Sequence, residues 1–326
     1  SSKETKIELE HEMSSTEVRE VLMDTLGAFV SFCKEHDLEY FLAYGSLLGA
    51  VRDQNMIPWD DDIDILMPRP EYDRFLELYR ADPPRDTTIL VPGDDDYPTP
   101  FAKIINTRTR FVADDYYFPD NYGVCIDIFP LDGAPRFAGD LVFSLAAEIR
   151  GIMYRRFPYL KPHLVRPSQT PVSLLKKGAW HMLKAPKEFP SWLTEQFREL
   201  RLATGALALR RASRRQLAAW ADKVISVAPL DGAPAGADMV GWHKFSDALI
   251  DRRHLDNFEQ VQFGPLQVRT FFDPEPLLAQ WYGDDWNIPN PEYKGAHGRA
   301  YWRKDPPNTS GEQHEAAGEP GKPDPQ

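Results

Sequence analysis

The segment 45–66, GSLLGAVRDQNMIPWDDDIDIL, combines residue types that could bind a metal ion and a nucleotide. Asp62 and Asp64 alternate with Ile63 and Ile65, and residues two apart on a strand point to the same face. Two carboxylates held side by side repel each other, and a cation between them relieves that repulsion. All-oxygen ligands suit Mg²⁺ or Mn²⁺. The pattern therefore predicts a divalent-metal site on a strand.

Gly45 and Ser46 stand at the start of the same segment. Glycine permits a tight backbone turn. Ser46 and the amides that follow it can bind a phosphate at the N-terminus of a short helix predicted over 46–52. A phosphate site beside a metal-binding carboxylate pair is typical of chemistry on a nucleotide.

Two other interpretations of the acidic cluster stay open. In a calcium loop, Asp60, Asp62, Asp64 and Glu71 would fall at positions 1, 3, 5 and 12, but position 6, which needs Gly, is Ile65. A solvated acidic turn would bind nothing, and it would leave the alternating apolar residues unexplained.

A third candidate ligand is Asp127, within a strand predicted over 123–129. One face of that strand would carry Val124, Ile126 and Ile128, and the other Cys125, Asp127 and Phe129. An acid in so apolar a strand is unfavourable unless it is paired or bound to a metal. The alternative for Asp127 is a carboxylate capped by backbone amides at a strand end.

Local patterns predict the elements that position these acids. Ser14 and Glu17 have the spacing of a capping box, which starts a helix that ends near 36–37. A second helix is predicted from Pro70 to Tyr79. Further strands are predicted over 40–43, 62–67, 88–91 and 101–105. Near the C-terminus, we expect a hairpin that turns at Gly264-Pro265 and a helix that is capped by Asp273 and ended by Gly283.

Composition places the chain among globular proteins that could act on anions. Its 326 residues, 42% of them hydrophobic, can bury a core in one or two domains. The net charge is −12, yet residues 141–223 hold 16 Lys and Arg against five Asp and Glu, which leaves −23 on the remainder. An acidic body with one basic patch argues against a polymer of nucleic acid as partner.

Cys33 and Cys125 form no disulfide framework or zinc spacing, so we expect reduced thiols in a cytoplasmic protein. No apolar run is long enough to span a membrane, and the N-terminal residues lack a signal-peptide pattern. The basic, amphipathic segment 172–184 predicts either contact with the inner face of a membrane or a helix packed on the core with its Lys side chains in water. Arg210, Arg211, Arg214 and Arg215 form a further basic cluster, either an acceptor-phosphate contact or a solvated face.

The segment GSLLGAVR…IPWDDDIDI resembles the signature of the LicD/fukutin family, within the nucleotidyltransferase-fold superfamily. The residues in register are Gly45, Ser46, Leu48, Gly49, Arg52, Ile57, Pro58, Trp59, Asp60, Asp61, Asp62, Ile63 and Asp64. Weaker similarity continues at 127–130, 258–259, 281–284 and His297. The helical middle of the chain offers no such guide.

This resemblance implies an α+β fold, with a nucleotidyltransferase-like mixed sheet core flanked by helices and a mostly helical middle region. The expected organisation is a flexible N-terminus (1–13), the core (14–136), a helical basic region (137–225), a part completing the core (226–302) and a disordered tail (303–326).

The resemblance also implies a phosphotransferase. Family members move a phospho-alcohol, such as phosphocholine or ribitol phosphate, from a CDP-activated donor to a glycan hydroxyl or its lipid-linked precursor. Asp62, Asp64 and Asp127 would hold Mg²⁺ or Mn²⁺, and Asp127 could also accept the proton of the acceptor hydroxyl.

Gly45, Ser46, Arg52 and Lys103 would contact the donor phosphates, although Arg52 and Lys103 could equally form surface salt bridges. His297 could be a base or a donor contact, or neither. Two other functions stay open: a nucleotidyltransferase that moves NMP to an alcohol, protein or drug, and a non-catalytic glycan- or metal-binding protein.

A group of aromatic residues is a candidate cage for the quaternary ammonium of choline. Its members are Tyr116, Tyr117, Phe118 and Tyr122. The alternative for this group is aromatic packing at a hairpin.

Overall fold

The fold is α+β, as predicted, with a mixed central sheet covered by helices on both faces. A computed structural model describes residues 9–94, 97, 99–113, 120–157, 182, 187, 189–241, 244–289 and 298–304. Within them the strands are β1 (Leu9–Glu12), β2 (Phe41–Leu42), β3 (Asp64–Pro68), β4 (Thr87–Leu90), β5 (Ala102–Asn106), β6 (Thr109–Val112), β7 (Cys125–Gly133), β8 (Ala235–Ala237), β9 (Leu249–Asp251), β10 (Phe258–Phe263), β11 (Leu266–Phe271) and β12 (Arg299–Arg303). The helices are α1 (Ser15–Glu35), α2 (Tyr44–Asp53), α3 (Arg69–Ala81), α4 (Gly139–Arg156), α5 (Phe189–Ala208), α6 (Arg214–Ile225), α7 (Phe245–Ala248) and α8 (Glu275–Tyr282), with a 3₁₀ turn at Arg252–His254.

The central sheet has the strand order β10-β11-β2-β3-β7-β5-β4 among the described residues, and β8 and β9 extend it beside β7. β3 and β7 run parallel, whereas β2 and β5 are antiparallel to them on either side. The β10–β11 hairpin turns at Gly264-Pro265, as predicted, and joins the sheet through β2. The two strands that carry the acids are therefore neighbours in the middle of the sheet.

Alternating side chains of β3 and β7 divide the core into two layers. On one face, Ile63, Ile65, Ile126 and Ile128 are buried against apolar residues of α1 and α3. On the other, Leu66, Phe129 and Leu131 pack with residues of α2 and α8. Because the period of a strand is two, Asp64 and Asp127 share the second face with Leu66 and Phe129. The predicted faces are confirmed for Asp64 and Asp127, but not for Asp62, which precedes β3.

The N-terminus of α1 has the predicted capping box. The Glu17 backbone N–H donates to Ser14 Oγ at 3.3 Å, and the Ser14 backbone N–H donates to Glu17 Oε2 at 2.8 Å. Glu17 also accepts a hydrogen bond from the Trp302 indole at 2.9 Å, so the cap joins α1 to β12. These hydrogen bonds lower the pKa of Glu17 to about 2, with the Ser14 backbone bond as the largest cause.

An ion-pair network fixes the helical region to the sheet. The Arg69 guanidinium donates two hydrogen bonds of 2.7 Å to Asp132, at the end of β7, and one of 2.9 Å to Asp222 on α6. Asp132 is fully buried, and burial raises its pKa to about 6 despite the Arg69 partner. Two parallel hydrogen bonds between a guanidinium and a carboxylate fix the orientation of both side chains. Arg69 therefore holds α3, β7 and α6 together.

Several details differ from the predictions or were not anticipated. β3 begins at Asp64 rather than at residue 62, so Asp62 lies in the preceding loop. Asp273 does not cap α8, which begins at Glu275 after Pro274, whereas Gly283 does end it. β1, β6 and β12 form a second sheet, which includes residues 9–12 and Arg303 from the segments expected to be flexible. Their short, mixed-polarity sequences lack strict alternation. Among the described residues, no helix has the length and apolar character needed to cross a membrane.

We predict that Glu17→Ala lowers the melting temperature, because it removes both the cap and the contact with Trp302. A carboxyl group whose folded-state pKa is depressed stabilises the fold above its ordinary pKa, and the contribution is lost as pH falls through the folded-state value. The difference between wild type and Glu17→Ala should therefore be full at pH 7 and shrink as pH falls from about 4.5 towards 2. Thermal unfolding followed by circular dichroism measures both effects. Glu20→Ala, an exposed position on the same helix, is the matched control; equal melting temperatures for the two variants would contradict the prediction.

Candidate active site

Three neighbouring strands place charged residues side by side at the centre of the sheet. Asp64 of β3 is the register partner of Asp127 of β7, and Asp127 is in turn the register partner of Lys103 of β5. The Asp127 backbone N–H donates to the Ile63 carbonyl at 2.8 Å, which fixes the parallel register at this point. The structure thus produces a row in the order Asp64, Asp127, Lys103.

Lys103 neutralises one of the two acids. Its ammonium donates to Asp127 Oδ1 in an ion pair, and both side chains are about 10% exposed. The Lys103 Nζ also lies 5.1 Å from the Phe101 ring centroid and 6.0 Å from that of Tyr122. Burial alone would lower the pKa of Lys103, but the charge of Asp127 raises it overall, so the lysine stays charged. Lys103 is therefore a buried partner of Asp127 rather than a surface salt bridge.

Asp64 forms no ion pair with a cation among the described residues, although it lies beside other carboxyl groups. Burial raises the pKa of Asp64 well above its ordinary value, and the charges of Asp62, Asp127 and Asp60 raise it further. Lys103 offsets only part of this repulsion. A site that concentrates carboxylates in this way favours a bound cation.

The loop before β3 supplies additional carboxylates. Oxygen atoms of Asp60, Asp61 and Asp62 lie within 4.8 Å of one another. Among the described residues, these three acids are close enough together to coordinate one metal ion. This closest trio differs from the predicted set of Asp62, Asp64 and Asp127, which share a cavity but are more widely spaced. An all-oxygen set with excess negative charge fits a hard divalent cation such as Mg²⁺ or Mn²⁺.

The predicted Gly-Ser turn is wrong in its geometry. Gly45 and Ser46 lie inside α2, and the residue with a left-handed backbone is Tyr44, with φ of 49°. A Cβ on Gly45 would lie 3.0 Å from Asp60 Oδ2, so glycine here lets the Asp60 carboxylate approach the N-terminus of α2. Ser46 is buried, and its Oγ accepts a hydrogen bond from the Asp64 backbone N–H at 2.9 Å. Ser46 therefore orients the strand that carries Asp64.

The remaining predicted residues lie elsewhere. Arg52 is at the C-terminal end of α2 and donates to Asp53 through Nε at 3.0 Å and Nη2 at 2.8 Å. Together with Gly45 and Ser46, it is not part of the cavity lining. His297 and the aromatic residues 116–118 lie outside the described residues. The fourth member of the predicted cage, Tyr122, is buried in a small cluster with Leu90, Tyr97 and Ile105, so it packs in the core.

A cavity of about 870 Å³ opens beside the row of charges. The sheet side contributes Asp62, Asp64, Lys103 and Asp127, and α4 and α5 supply further residues, among them Arg150 and Arg198. Its volume is in the range of natural ligand pockets. Residues of the sheet and of the basic helical region therefore line one space.

Tyr44 and Asp238 form a pair that no sequence pattern predicts. The Tyr44 hydroxyl donates to the fully buried Asp238 carboxylate, which also accepts from the Val240 and Gly241 backbone N–H groups. The Tyr44 ring lines the cavity and packs on Trp281, with ring centroids 4.8 Å apart. No local motif in the sequence signals this contact, because the two residues are 194 positions apart.

Comparison with known proteins shows that Asp64, Lys103 and Asp127 lie within a segment similar to a known domain. Residues 37–131 match the family model described as "LicD/FKTN/FKRP, nucleotidyltransferase domain". A curated relative, the lipopolysaccharide cholinephosphotransferase LicD of Haemophilus influenzae, is 32% identical over 138 residues, which are 41% of this chain. The match covers 50% of that relative, so the chain spans about half the length of the curated protein it resembles. The domain match over 37–131 contains Asp62, Asp64, Lys103 and Asp127 and ends before α4.

We predict that Asp64→Asn stabilises the metal-free protein, because it removes one of several mutually repelling carboxylates. A carboxyl group whose folded-state pKa is raised favours the fold at low pH, and this contribution is lost as pH rises through the folded-state value. The variant and the wild type should therefore be equally stable near pH 4, and the variant should gain about 0.5–2 kcal/mol in free energy of unfolding at higher pH.

Urea unfolding in EDTA across this pH range measures the effect. Asp24→Asn, which removes an exposed carboxylate from α1, controls for the change in net charge. A stability difference that stays constant with pH would show that Asp64 is not under electrostatic strain.

Proposed function

The chain belongs to the LicD family through the nucleotidyltransferase domain at residues 37–131, and from this membership we propose that it is a metal-dependent phosphotransferase. The substrate is a CDP-activated alcohol, with CDP-choline as the first candidate because the curated relative is named a cholinephosphotransferase. The acceptor is a hydroxyl of a cell-surface glycan or of its lipid-linked precursor, and CMP is released. This reaction would take place in the cytoplasm, at the inner face of the membrane.

The observation that carries this proposal is the pairing of Asp64 with Asp127 on adjacent parallel strands beside a large cavity. A carboxylate pair on rigid strands, with the acids of residues 60–62 at the same end, is a suitable site for a divalent ion that binds a diphosphate. An uncharged ligand would not require this concentration of negative charge.

In the proposed reaction, the acceptor hydroxyl oxygen attacks the β-phosphorus of the donor, which bears the alcohol. The new P–O bond forms as the bond to the CMP phosphate breaks, and the hydroxyl proton passes to Asp127. When bound to Asp62, Asp64 and Asp127, Mg²⁺ or Mn²⁺ would neutralise charge on the diphosphate.

The residues around these acids hold them in place. Lys103 forms an ion pair with Asp127 and fixes its side chain between β3 and β5. Ser46 fixes the backbone of Asp64 through its hydrogen bond. Positioning of this kind is effective because the groups need no rearrangement when the substrate binds.

A second candidate is transfer of the nucleotide itself, since the matched domain is described as a nucleotidyltransferase domain. That reaction uses the same acids but attacks the α-phosphorus, so NMP remains on the product. A non-catalytic glycan- or metal-binding protein is the third candidate, for which the cavity would bind a ligand without turnover.

We expect free CMP and a modified glycan when the protein is incubated with Mg²⁺, lipopolysaccharide or a lipid-linked glycan, and CDP-choline, CDP-glycerol or CDP-ribitol in turn. Mass spectrometry identifies both products, the free CMP and the modified glycan. EDTA should stop the reaction, and Asp62→Asn or Asp64→Asn should slow it by about a hundredfold or more, the order expected for loss of a charge-stabilising group.

Asp24→Asn is the control, because it removes an exposed acid of α1 that does not line the cavity. CMP retained on the product would establish the nucleotidyltransferase instead. Full activity of Asp64→Asn, or turnover in EDTA, would rule out the metal-dependent mechanism at these acids.

A further inference from the structure

Helices α4 and α5 contribute arginine side chains to the cavity lining, and these side chains have no role in the site at the acids. Arg150 on α4 and Arg198 on α5 both line the cavity, and both lie outside the segment that matches the family domain. Lys103, the cation of the sheet side, is already paired with Asp127. The two arginines therefore provide positive charge at a different part of the same cavity.

Arg150 is buried without a carboxylate partner among the described residues. It is 8% exposed, and its Nη1 donates to the Met239 carbonyl at 3.3 Å, while Nε and Nη2 make no hydrogen bond with the described part of the chain. Burial lowers the pKa of Arg150, and the nearby charge of Asp238 offsets only part of this effect. Asp238 forms no ion pair with Arg150, and its carboxylate is bound instead by Tyr44 and by two backbone N–H groups. Nε and Nη2 of Arg150 are not among the enclosed side-chain atoms that lack a partner, and Arg150 lines the cavity, so its free donors face a space where an anion can bind them.

Arg198 is exposed and differs from the arginines near it. Arg201 pairs with Glu148, and Arg155 pairs with Glu199, whereas Arg198 has no hydrogen bond or ion pair with any described residue. A guanidinium group binds phosphate oxygens through two parallel N–H donors. Its place in the cavity lining makes those donors available to a ligand.

We propose that Arg150 and Arg198 form an anion subsite that binds a phosphate group of the substrates, separate from the group held at the acids. This inference rests on the proposed function and deepens it. Two sources have the required chemistry: the CMP phosphate of the donor, and a phosphate carried by the glycan acceptor. The cavity volume of about 870 Å³ is large enough for a nucleotide and part of an acceptor.

Binding of inorganic phosphate to the full chain in EDTA tests the subsite without turnover. Titration followed by NMR or calorimetry should show binding to the wild type, and a loss of at least about tenfold in affinity for Arg198→Gln, the order for a charge-assisted hydrogen bond. Arg150→Lys keeps the buried charge but loses the paired donors, and it should also bind more weakly. Circular dichroism confirms that each variant is folded.

Arg211→Gln is the matched control, because it removes an exposed arginine of the same helical region that does not line the cavity. Asp64→Asn should retain phosphate binding in EDTA. Absence of binding to the wild type, or equal affinity of Arg198→Gln and Arg211→Gln, would overturn the subsite. Because this assay needs no donor or metal, its result is independent of whether CMP release is observed.

Steady-state kinetics with CDP-choline and lipopolysaccharide in Mg²⁺ distinguish whether the donor or the acceptor supplies the phosphate. If the donor supplies it, Arg198→Gln should raise the KM for CDP-choline about tenfold with little change in kcat. If the acceptor supplies it, the KM for the glycan should rise instead by a similar factor. Unchanged values of both KM would show that the arginines do not serve the reaction.

Discussion

The parallel pairing of β3 with β7 is the constraint on which the site depends. It sets Asp64 directly beside Asp127, and the antiparallel β5 sets Lys103 on the other side of Asp127. Two like charges on neighbouring strands destabilise a sheet, and the single lysine compensates for one of them. The other carboxyl groups, those of Asp64 and of the loop acids at 60–62, are concentrated next to a cavity. The fold therefore maintains an electrostatic strain that a divalent cation would relieve.

The apolar side of the same strands explains how this strain is tolerated. Ile63, Ile65, Ile126 and Ile128 are fully buried against α1 and α3. Each such side chain contributes about 1.5–3 kcal/mol of hydrophobic stabilisation. Because side chains alternate along a strand, these residues and the acids cannot exchange faces without reversing the whole core. The register that places the carboxylates is thus determined by the burial of their neighbours.

The helical region adds a second chemical character to the cavity. The ion pairs of Arg69 with Asp132 and Asp222 hold α6 against the end of β7. α4 packs on α6, and α5 packs on α4, where Leu202 lies against Gly151. This arrangement brings the basic middle of the chain to an acidic site, although the two are far apart in sequence. A donor diphosphate at the acids and a further phosphate at the arginines would then occupy opposite electrostatic environments of one space.

The sequence alone was sufficient for several features that depend on short-range patterns. Strand alternation predicted which faces of β3 and β7 carry Asp64 and Asp127, and the spacing of Ser14 and Glu17 predicted the cap of α1. The dense motif at residues 45–64 gave the family resemblance, which agrees with the domain match over 37–131, because it joins many specific residues in one segment. These features follow from local geometry, in which the period of a strand or a helix fixes the direction of each side chain.

Long-range pairing was decided only by the tertiary structure. The sequence left Lys103 as either a phosphate contact or a surface salt bridge, and the strand order made it the buried partner of Asp127. It assigned a tight turn to Gly45, whereas the backbone reverses at Tyr44 and the absence of a Cβ at Gly45 accommodates Asp60. The Tyr44–Asp238 contact and the shared cavity of Arg150 and Arg198 join residues from separate parts of the chain. Their partners depend on how strands and helices assemble, and no local spacing encodes that assembly.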